Sequence, residues 1–470
     1  MIIEQIYTGC LAQGAYYIES NGEAAIIDPL REANPYIEIA KSRGAKIKYV
    51  FETHFHADFV SGHLDLAEKS GAKIVYGPLA ETNYEKYMAA DGEEFSLGEL
   101  TFRVLHTPGH TMESTTYLLL DAEGKPHAIF TGDTLFIGDV GRPDLCQKGD
   151  TMTKEELAGK LYDSLHQKIM PLPDSVLVYP AHGAGSACGK SMSKETWDTL
   201  GNQKKTNYAL DSNLSKDDFI KQLTAGLAPP PQYFEKNATI NKEGYASLDD
   251  IKERAARPLS PSEFEELANQ EGALILDVRK KEHFIEGYIP NSIFIGLDGG
   301  FAPWVGALIV DIQQPILLVT ESGREDEAVV RLARVGYDNT IGYLEGGIAA
   351  WKDAGSDLES IETIRAEEFA TKFQNDPKIN ILDVRKPAEF DKSQVVGAQN
   401  FALDFINKNM SEIDKNRLYF IHCAGGYRST ISSSILKARG FHNIINVQDS
   451  FTNISNTTIP TQAGKKQGAV

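Results

Sequence analysis

The sequence is short of cysteine, of basic residues and of long apolar runs, and each shortage excludes something. Four cysteines (Cys10, Cys146, Cys188 and Cys423) in 470 residues cannot build a disulfide framework, so a reducing cytoplasm is the expected compartment. Lysine and arginine number 47 against 66 aspartates and glutamates, a formal net charge of −19. That balance argues against nucleic acid or an anionic membrane as a partner. No run of about 18 apolar residues occurs, so no membrane-spanning helix is expected. The opening MIIEQIYTGC has no basic stretch followed by an apolar one, so no secretory leader is expected. What is present suits globular cores: 41% of residues are hydrophobic, and the length suggests roughly three domains.

Residues 1–240 alternate short apolar runs with polar turns. KIKYVF at 46–51, FRVL at 102–105 and TTYLLL at 115–120 are examples. LAPPPQYF at 227–234 carries three prolines, which remove donors, so it is expected to be extended and to close the first domain. The polar stretch 241–258 is expected to be a linker. Beyond it lies an internal repeat, because ILDVRK stands at 275–280 and again at 381–386. After each copy come an apolar strand, a Gly- or Ser-bearing loop and a helix. Two tandem α/β units, 259–355 and 360–455, are expected, with a solvated tail at 456–470.

In the first domain four strand-like runs each end in a loop bearing an imidazole or a carboxylate. THFHAD brings His54, His56 and Asp58; TPGH brings His110; TGD brings Asp133; and YPAHG brings His182. Open α/β sheets bind ligands along one strand edge, where such groups converge. Imidazoles and a carboxylate on rigid strand ends suit a catalytic transition metal. His106 is expected to be structural, and His63, His127 and His166 to be ordinary surface or helix residues.

Together these motifs resemble the metallo-β-lactamase superfamily in its glyoxalase II branch. The resemblance implies a four-layer αββα sandwich with metal at one edge of its paired sheets. There is one departure: the superfamily motif places histidine directly after the aspartate, and here that residue is Phe59. In dinuclear members that histidine holds a second metal with the residues matching Asp58 and His182, and phenylalanine cannot ligate. The remaining site, His54, His110 and Asp133, is the two-histidine, one-carboxylate set of non-haem Fe(II) oxygenases. The persulfide dioxygenase family resembles this sequence in using those positions. One Fe(II) per chain is therefore expected, with His56, Asp58 and His182 orienting ligands and waters. The alternative is a zinc hydrolase in which Phe59 is a neutral packing change. The loop FIGDVGRPD resembles a persulfide dioxygenase loop, and Arg142 in it is expected to hold a substrate anion or a salt bridge to Asp144 or Asp139. Cys146 and Cys188 have no evident activating neighbour.

The repeat resembles the rhodanese sulfurtransferase domain. In the second copy an apolar strand runs into Cys423, Ala424, Gly425, Gly426, Tyr427 and Arg428. A cysteine between a strand and a helix, wrapped by a glycine-rich loop, has backbone N–H groups aimed at its sulfur, which favour the thiolate. Six residues is the length sulfurtransferases use to cradle a persulfide, and Arg428 adds a cation. Aligning Arg324 with Arg428 puts Val319 at the cysteine position of the first copy. That copy is expected to be inactive, serving as spacer, docking surface or oligomer contact. The second copy lacks a counterpart of Trp351.

The domain order resembles that of the persulfide dioxygenase–sulfurtransferases of bacterial sulfide detoxification. The resemblance implies oxidation of a low-molecular-weight thiol persulfide by O2 to sulfite. It also implies Cys423-dependent sulfur transfer to or from thiosulfate. Two alternatives stand beside it: a zinc glyoxalase II-like thioester hydrolase fused to a sulfurtransferase, and a non-enzymatic sulfur-relay protein with a vestigial metal site. A retained inactive repeat leaves a homo-oligomer open.

Overall fold

Side-chain alternation along the strands divides the first half of the chain into three apolar layers. In the strand Gln13–Ser20, Tyr16 and Ile18 enter one core while Ala15 and Tyr17 enter another, as a two-residue period requires. The computed structural model describes residues 1–145 and 152–463, so Cys146 and residues 464–470 of the expected tail lie outside the described residues. One six-stranded sheet runs Ile2–Thr8, Gln13–Ser20, Glu23–Ile27, Lys46–Glu52, Lys73–Tyr76 and Tyr87–Met88. A second runs Asp198–Thr199, Leu177–Pro180, Pro126–Gly132, Thr115–Leu120, Leu100–His106 and Glu94–Leu97. Their facing sides share a core of Tyr16, Ile27, Phe51, Phe102, Tyr117 and Phe130. The outer face of the first packs on helices Asn34–Arg43 and His63–Ser70 through Tyr36, Ala40 and Leu66. The outer face of the second packs on Lys154–Ser164 and Lys216–Thr224 through Leu161, Phe219 and Leu223. This is the αββα order expected from the motifs. Residues 227–231 belong to no helix or strand, as the prolines require, whereas 232–233 turn and Phe234 opens helix Phe234–Glu243, so the stretch expected to be extended through 234 ends earlier.

Two compact units emerge: Met1–Ile251 with Val330–Tyr337, and Lys252–Val329 with Asp338–Val470. The stretch 241–258 is more structured than a linker, since it holds the end of helix Phe234–Glu243 and helix Leu248–Ala255.

The second unit contains two five-stranded parallel sheets with the same order. One runs Pro258–Leu259, Thr340–Leu344, Ile316–Val319, Leu274–Asp277, Ile293–Phe294. The other runs Thr363–Ile364, Ile444–Val447, Tyr419–His422, Asn380–Asp383, Gln399–Asn400. The repeated ILDVRK has a physical reason in both. Asp277 and Asp383 are buried at strand ends, and Arg279 and Arg385 meet them through two guanidinium nitrogens at 2.6–3.1 Å. Each arginine also donates to a backbone carbonyl, Gly287 O or Ser393 O. A buried carboxylate is tolerated only when paired and hydrogen-bonded in this way.

Candidate functional site

The strand Lys46–Glu52 delivers the first metal-type residues, and Asp28 fixes their loop. Asp28 has a left-handed backbone, φ +48°, and its carboxylate accepts from Thr53 N and Thr53 Oγ1, both at 2.8 Å. The Thr53 hydroxyl oxygen in turn accepts from His54 Nδ1 at 2.9 Å. Gly132 makes this possible: at φ +52° it lies so close that an added Cβ would stand 2.4 Å from Thr53 Oγ1. His110 Nδ1 donates to the backbone carbonyl of Arg142 at 2.7 Å. Both rings are thus held as the tautomer whose Nε2 is free to ligate.

Those Nε2 atoms converge on Asp133, His110 at 3.3 Å and His54 at 3.9 Å from Oδ2. One ligand atom from each of the three lies within 4.8 Å of the others, and all three residues are buried. Neither oxygen of Asp133 has a hydrogen-bond partner among the described residues. A buried carboxylate without a hydrogen-bond partner, facing the free Nε2 atoms of two imidazoles, is what a divalent cation fits. Burial, with His56, His110 and His182 nearby, holds His54 well below the usual imidazole range, which keeps it in the ligating form.

His56, Asp58 and His182 form a second buried trio. His182 Nε2 lies 3.4 Å from Asp58 Oδ2 and 3.6 Å from Asp133 Oδ1. Burial alone would push His182 down, but Asp58 and Asp133 outweigh it and raise it to about 10. His56 Nε2 lies 3.0 Å from Asp28 Oδ1, and its ring packs on Phe59 at 4.3 Å between centroids. Phe59 is fully buried and sets a phenyl ring, which has no ligand atom, against His56.

Other side chains singled out in the sequence take definite places. Of the two roles open to Arg142, a substrate anion or a salt bridge to Asp144 or Asp139, the structure shows the bridge to Asp144, and the guanidinium is buried. Nε and Nη2 donate to Asp144 at 2.6 and 2.8 Å, and Nη1 and Nη2 donate to Ala187 O and Ala228 O. His63, expected to be an ordinary surface or helix residue, opens helix His63–Ser70 but is fully buried beside Glu52 and packs on Tyr84 and Tyr245. Cys188 is buried beside Asp133 and His182. Burial and the carboxylates of Asp58 and Asp133 hold its thiol well above the usual range.

Asn241 belongs to the metal loop although it is about 180 residues distant in sequence. Its carboxamide donates to His56 O and Phe59 O, both at 2.8 Å, and accepts from Ser61 N at 2.9 Å. Its signal in the sequence is faint: an asparagine on the inner side of a helix after a proline-rich stretch.

In the second unit, Cys423 follows the strand Tyr419–His422 and is buried. Gly426 N donates to its Sγ at 3.1 Å, and Ser429 Oγ lies 3.6 Å from it. Ala424 and Gly425 form the exposed edge of the loop. Helix Tyr427–Ala438 begins directly after Gly426. Arg428 is engaged by Glu389, Nη1 to Oε2 at 2.6 Å and Nη2 to Oε1 at 3.0 Å. That partner was not foreseen, and the Arg428 guanidinium beside it holds the Glu389 carboxyl below the usual range.

The first repeat needs one correction. Asp277 pairs with Val319 and Asp383 with His422, so Val319 matches His422. The residue at the cysteine position is therefore Thr320, not Val319. The loop to Arg324 is one residue shorter, and anchoring on the arginine shifted the register. Thr320 Oγ1 and Gly323 N both donate to Glu325, and Arg324 is held by Asp298 and Glu327, so carboxylates occupy this loop.

Comparison with known proteins agrees with the two halves. The metallo-beta-lactamase superfamily matches residues 8–182, and the rhodanese-like domain matches 260–354 and 365–457. The human protein named persulfide dioxygenase ETHE1, mitochondrial, is 31% identical over 216 residues, covering 45% of this chain and 76% of that protein. A hydroxyacylglutathione hydrolase of Rhizobium etli is 37% identical over 165 residues, covering 34% of this chain and only 57% of its own length. The crystal structure of a metallo-beta-lactamase from Staphylococcus aureus aligns with a TM-score of 0.64 at 32% identity, over 73% of this chain and 98% of that one. The chain belongs to the metallo-beta-lactamase superfamily and carries two rhodanese-like domains after its metal-binding fold.

Proposed function

We propose that this chain is a persulfide dioxygenase coupled to a sulfurtransferase. The first site takes a thiol persulfide, O2 and water to the thiol and sulfite (RSSH + O2 + H2O → RSH + H2SO3). At the second, the Cys423 thiolate attacks the outer sulfur of a thiol persulfide, breaking its S–S bond and releasing the thiol, to give Cys–S–SH. Sulfite then attacks the outer sulfur of that persulfide. That attack forms the S–S bond of thiosulfate and releases the Cys423 thiolate. The reverse direction uses the same residues.

The observation that carries this reading is Phe59. With a buried phenyl ring beside His56 instead of a further imidazole, we read His54, His110 and Asp133, one of the buried groups able to hold a metal ion, as the ligand set. Two imidazoles and one carboxylate leave several open positions, the arrangement suited to Fe(II) and O2 chemistry. His54, His110 and Asp133 would hold an Fe(II) ion, which would supply redox chemistry toward O2. The chain does the rest. Thr53 and the Arg142 carbonyl keep the two imidazoles in register, while His182 Nε2 holds a proton between Asp58 and Asp133. Having both sites on one chain raises the local concentration of the shared sulfur intermediate.

A second reading, thioester hydrolysis with zinc, is favoured by the 37% identity to a hydroxyacylglutathione hydrolase. The two separate in one experiment, with glutathione persulfide and an acyl-glutathione offered in turn. Stoichiometric O2 uptake and sulfite formation, lost in His110→Ala and Asp133→Ala, is the expected result. Hydrolysis of the thioester without O2 uptake on the persulfide overturns the dioxygenase reading.

A further inference from the structure

The Cys423 loop makes polar contacts with the first, cysteine-less repeat at Gly425 and Tyr427, and both repeats belong to the same compact unit. Lys281, at the start of helix Lys281–Glu286, donates from Nζ to the carbonyl of Gly425 at 3.0 Å. Tyr427 donates its hydroxyl to Gly296 O at 2.7 Å, and its ring packs so closely on Gly299 that an added Cβ there would stand 2.3 Å from the ring. Two helical turns further on, Phe294 N donates to the buried Ser434 Oγ at 2.9 Å.

The Lys281 contact is chemically pointed. Gly425 C=O and Gly426 N–H are the two ends of one planar peptide and face opposite ways. The carbonyl end takes the ammonium of Lys281, and the N–H end donates to Cys423 Sγ at 3.1 Å. An ammonium, a peptide and a sulfur thus form one chain of two hydrogen bonds. A cation on the carbonyl deepens the peptide dipole and strengthens the N–H bond at the far end, most of all when the sulfur is negative. Gly426 itself, at φ +85°, leaves the approach clear: an added Cβ would stand 2.7 Å from Gln448 O and 3.0 Å from Lys281 Nζ.

The other charges around Cys423 are engaged elsewhere. Arg428 on the following helix is bound by Glu389 of helix Pro387–Lys392. Arg385 is bound by Asp383 on the neighbouring strand. His422, the residue before the cysteine, is buried 3.7 Å from Asp383, and Asp404 acts on Arg428. Lys281 has Glu282 beside it at 3.7 Å.

We propose that the cysteine-less repeat is a working part of the sulfur site, with Lys281 as a positioning residue that acts through the Gly425–Gly426 peptide to hold the Cys423 thiolate and its persulfide anion. The inference rests on the reading of Cys423 as the sulfur carrier, and it explains why a repeat whose own loop is occupied by carboxylates is retained.

The test follows the thiolate directly rather than turnover. Full-length protein, Lys281→Met and Lys281→Arg are alkylated with iodoacetamide across pH 5–10, and the Cys423 peptide is quantified by mass spectrometry, which separates it from Cys10, Cys146 and Cys188. In Lys281→Met the pH–rate profile moves to the alkaline side, and the rate near neutral pH falls roughly threefold to tenfold. Lys281→Arg, which keeps a cation within reach of the carbonyl, restores most of it. Profiles that coincide for wild type and Lys281→Met overturn the proposal. So does an equal shift in both variants accompanied by a lowered melting temperature, because the side chain is then only structural. Sulfur transfer in Cys423→Ser is measured alongside. If that variant still transfers sulfur, the carrier reading fails, whereas the alkylation profile still reports on Lys281.

Discussion

Replacing Asn241 by alanine tests how the metal loop is held. The side chain makes three hydrogen bonds to the loop, to His56 O, Phe59 O and Ser61 N, at 2.8–2.9 Å, and is buried. Truncation leaves two carbonyls and one N–H unmet. A buried unpaired group costs about 1–3 kcal/mol, so three set a ceiling of about 9 kcal/mol. Water entering the vacated space recovers part of this, and an overall loss of about 3–4 kcal/mol is expected. For a domain of this size that lowers the melting temperature by about 10 °C. Because the clamp holds the backbone of His56, two residues after His54, chelator competition should also reveal a metal affinity about 10- to 100-fold weaker. The assays are calorimetry on the metal-loaded full-length protein, following the transition that metal removal shifts, and metal retention against a chelator. Asn241→Asp should be no better, since a carboxylate cannot donate to the two carbonyls. A shift below about 2 °C in Asn241→Ala, with unchanged chelator competition, would refute the reasoning.

Other perturbations have equally definite outcomes. Gly132→Ala forces a Cβ to 2.4 Å from Thr53 Oγ1 at a left-handed φ, so metal content should fall along with stability, as metal analysis of the purified variant checks. Phe59→His returns a donor beside Asp58 and His182, and metal per chain should rise above one; a ratio that stays at one means the pocket itself, not the donor count, excludes a second ion. His63 is held down to about 3, first by burial and then by Arg31 and His56, while in the unfolded chain it titrates near 6.5. Between those values the unfolded state binds the extra proton, so stability is lost as pH falls below about 6.5, by up to ~1.4 kcal/mol per pH unit. His63→Phe keeps the ring contacts and should flatten that slope, whereas identical slopes in urea titrations at pH 5 and 6.5 would count against a neutral buried His63.

The sequence was most legible where chemistry repeats a local pattern. Strand-end motifs announced His54, His110, Asp133 and His182 because each lies directly after an apolar run whose length and turn residues set its direction. The duplicated ILDVRK announced two rhodanese-like units because the same buried Asp–Arg pair recurs in both. Partners supplied from far along the chain left no such mark. Asn241, Glu389 and Lys281 are ordinary polar residues on helices, and only the folded chain brings them to a carbonyl or a guanidinium. Arg142 was legible only as a choice between a substrate anion and a salt bridge to Asp144 or Asp139; the fold engages its guanidinium with Asp144 and two carbonyls while its own carbonyl orients His110. The shift from Val319 to Thr320 shows the limit of aligning repeats on a single cation when the loop between has lost a residue.

The central claim is a single redox-active metal on the His54–His110–Asp133 site. Its most direct test is metal analysis of anaerobically purified protein combined with O2 consumption on glutathione persulfide. One iron per chain, with one O2 consumed per sulfite formed, is the result predicted. Two zinc ions per chain and no O2 uptake would contradict it.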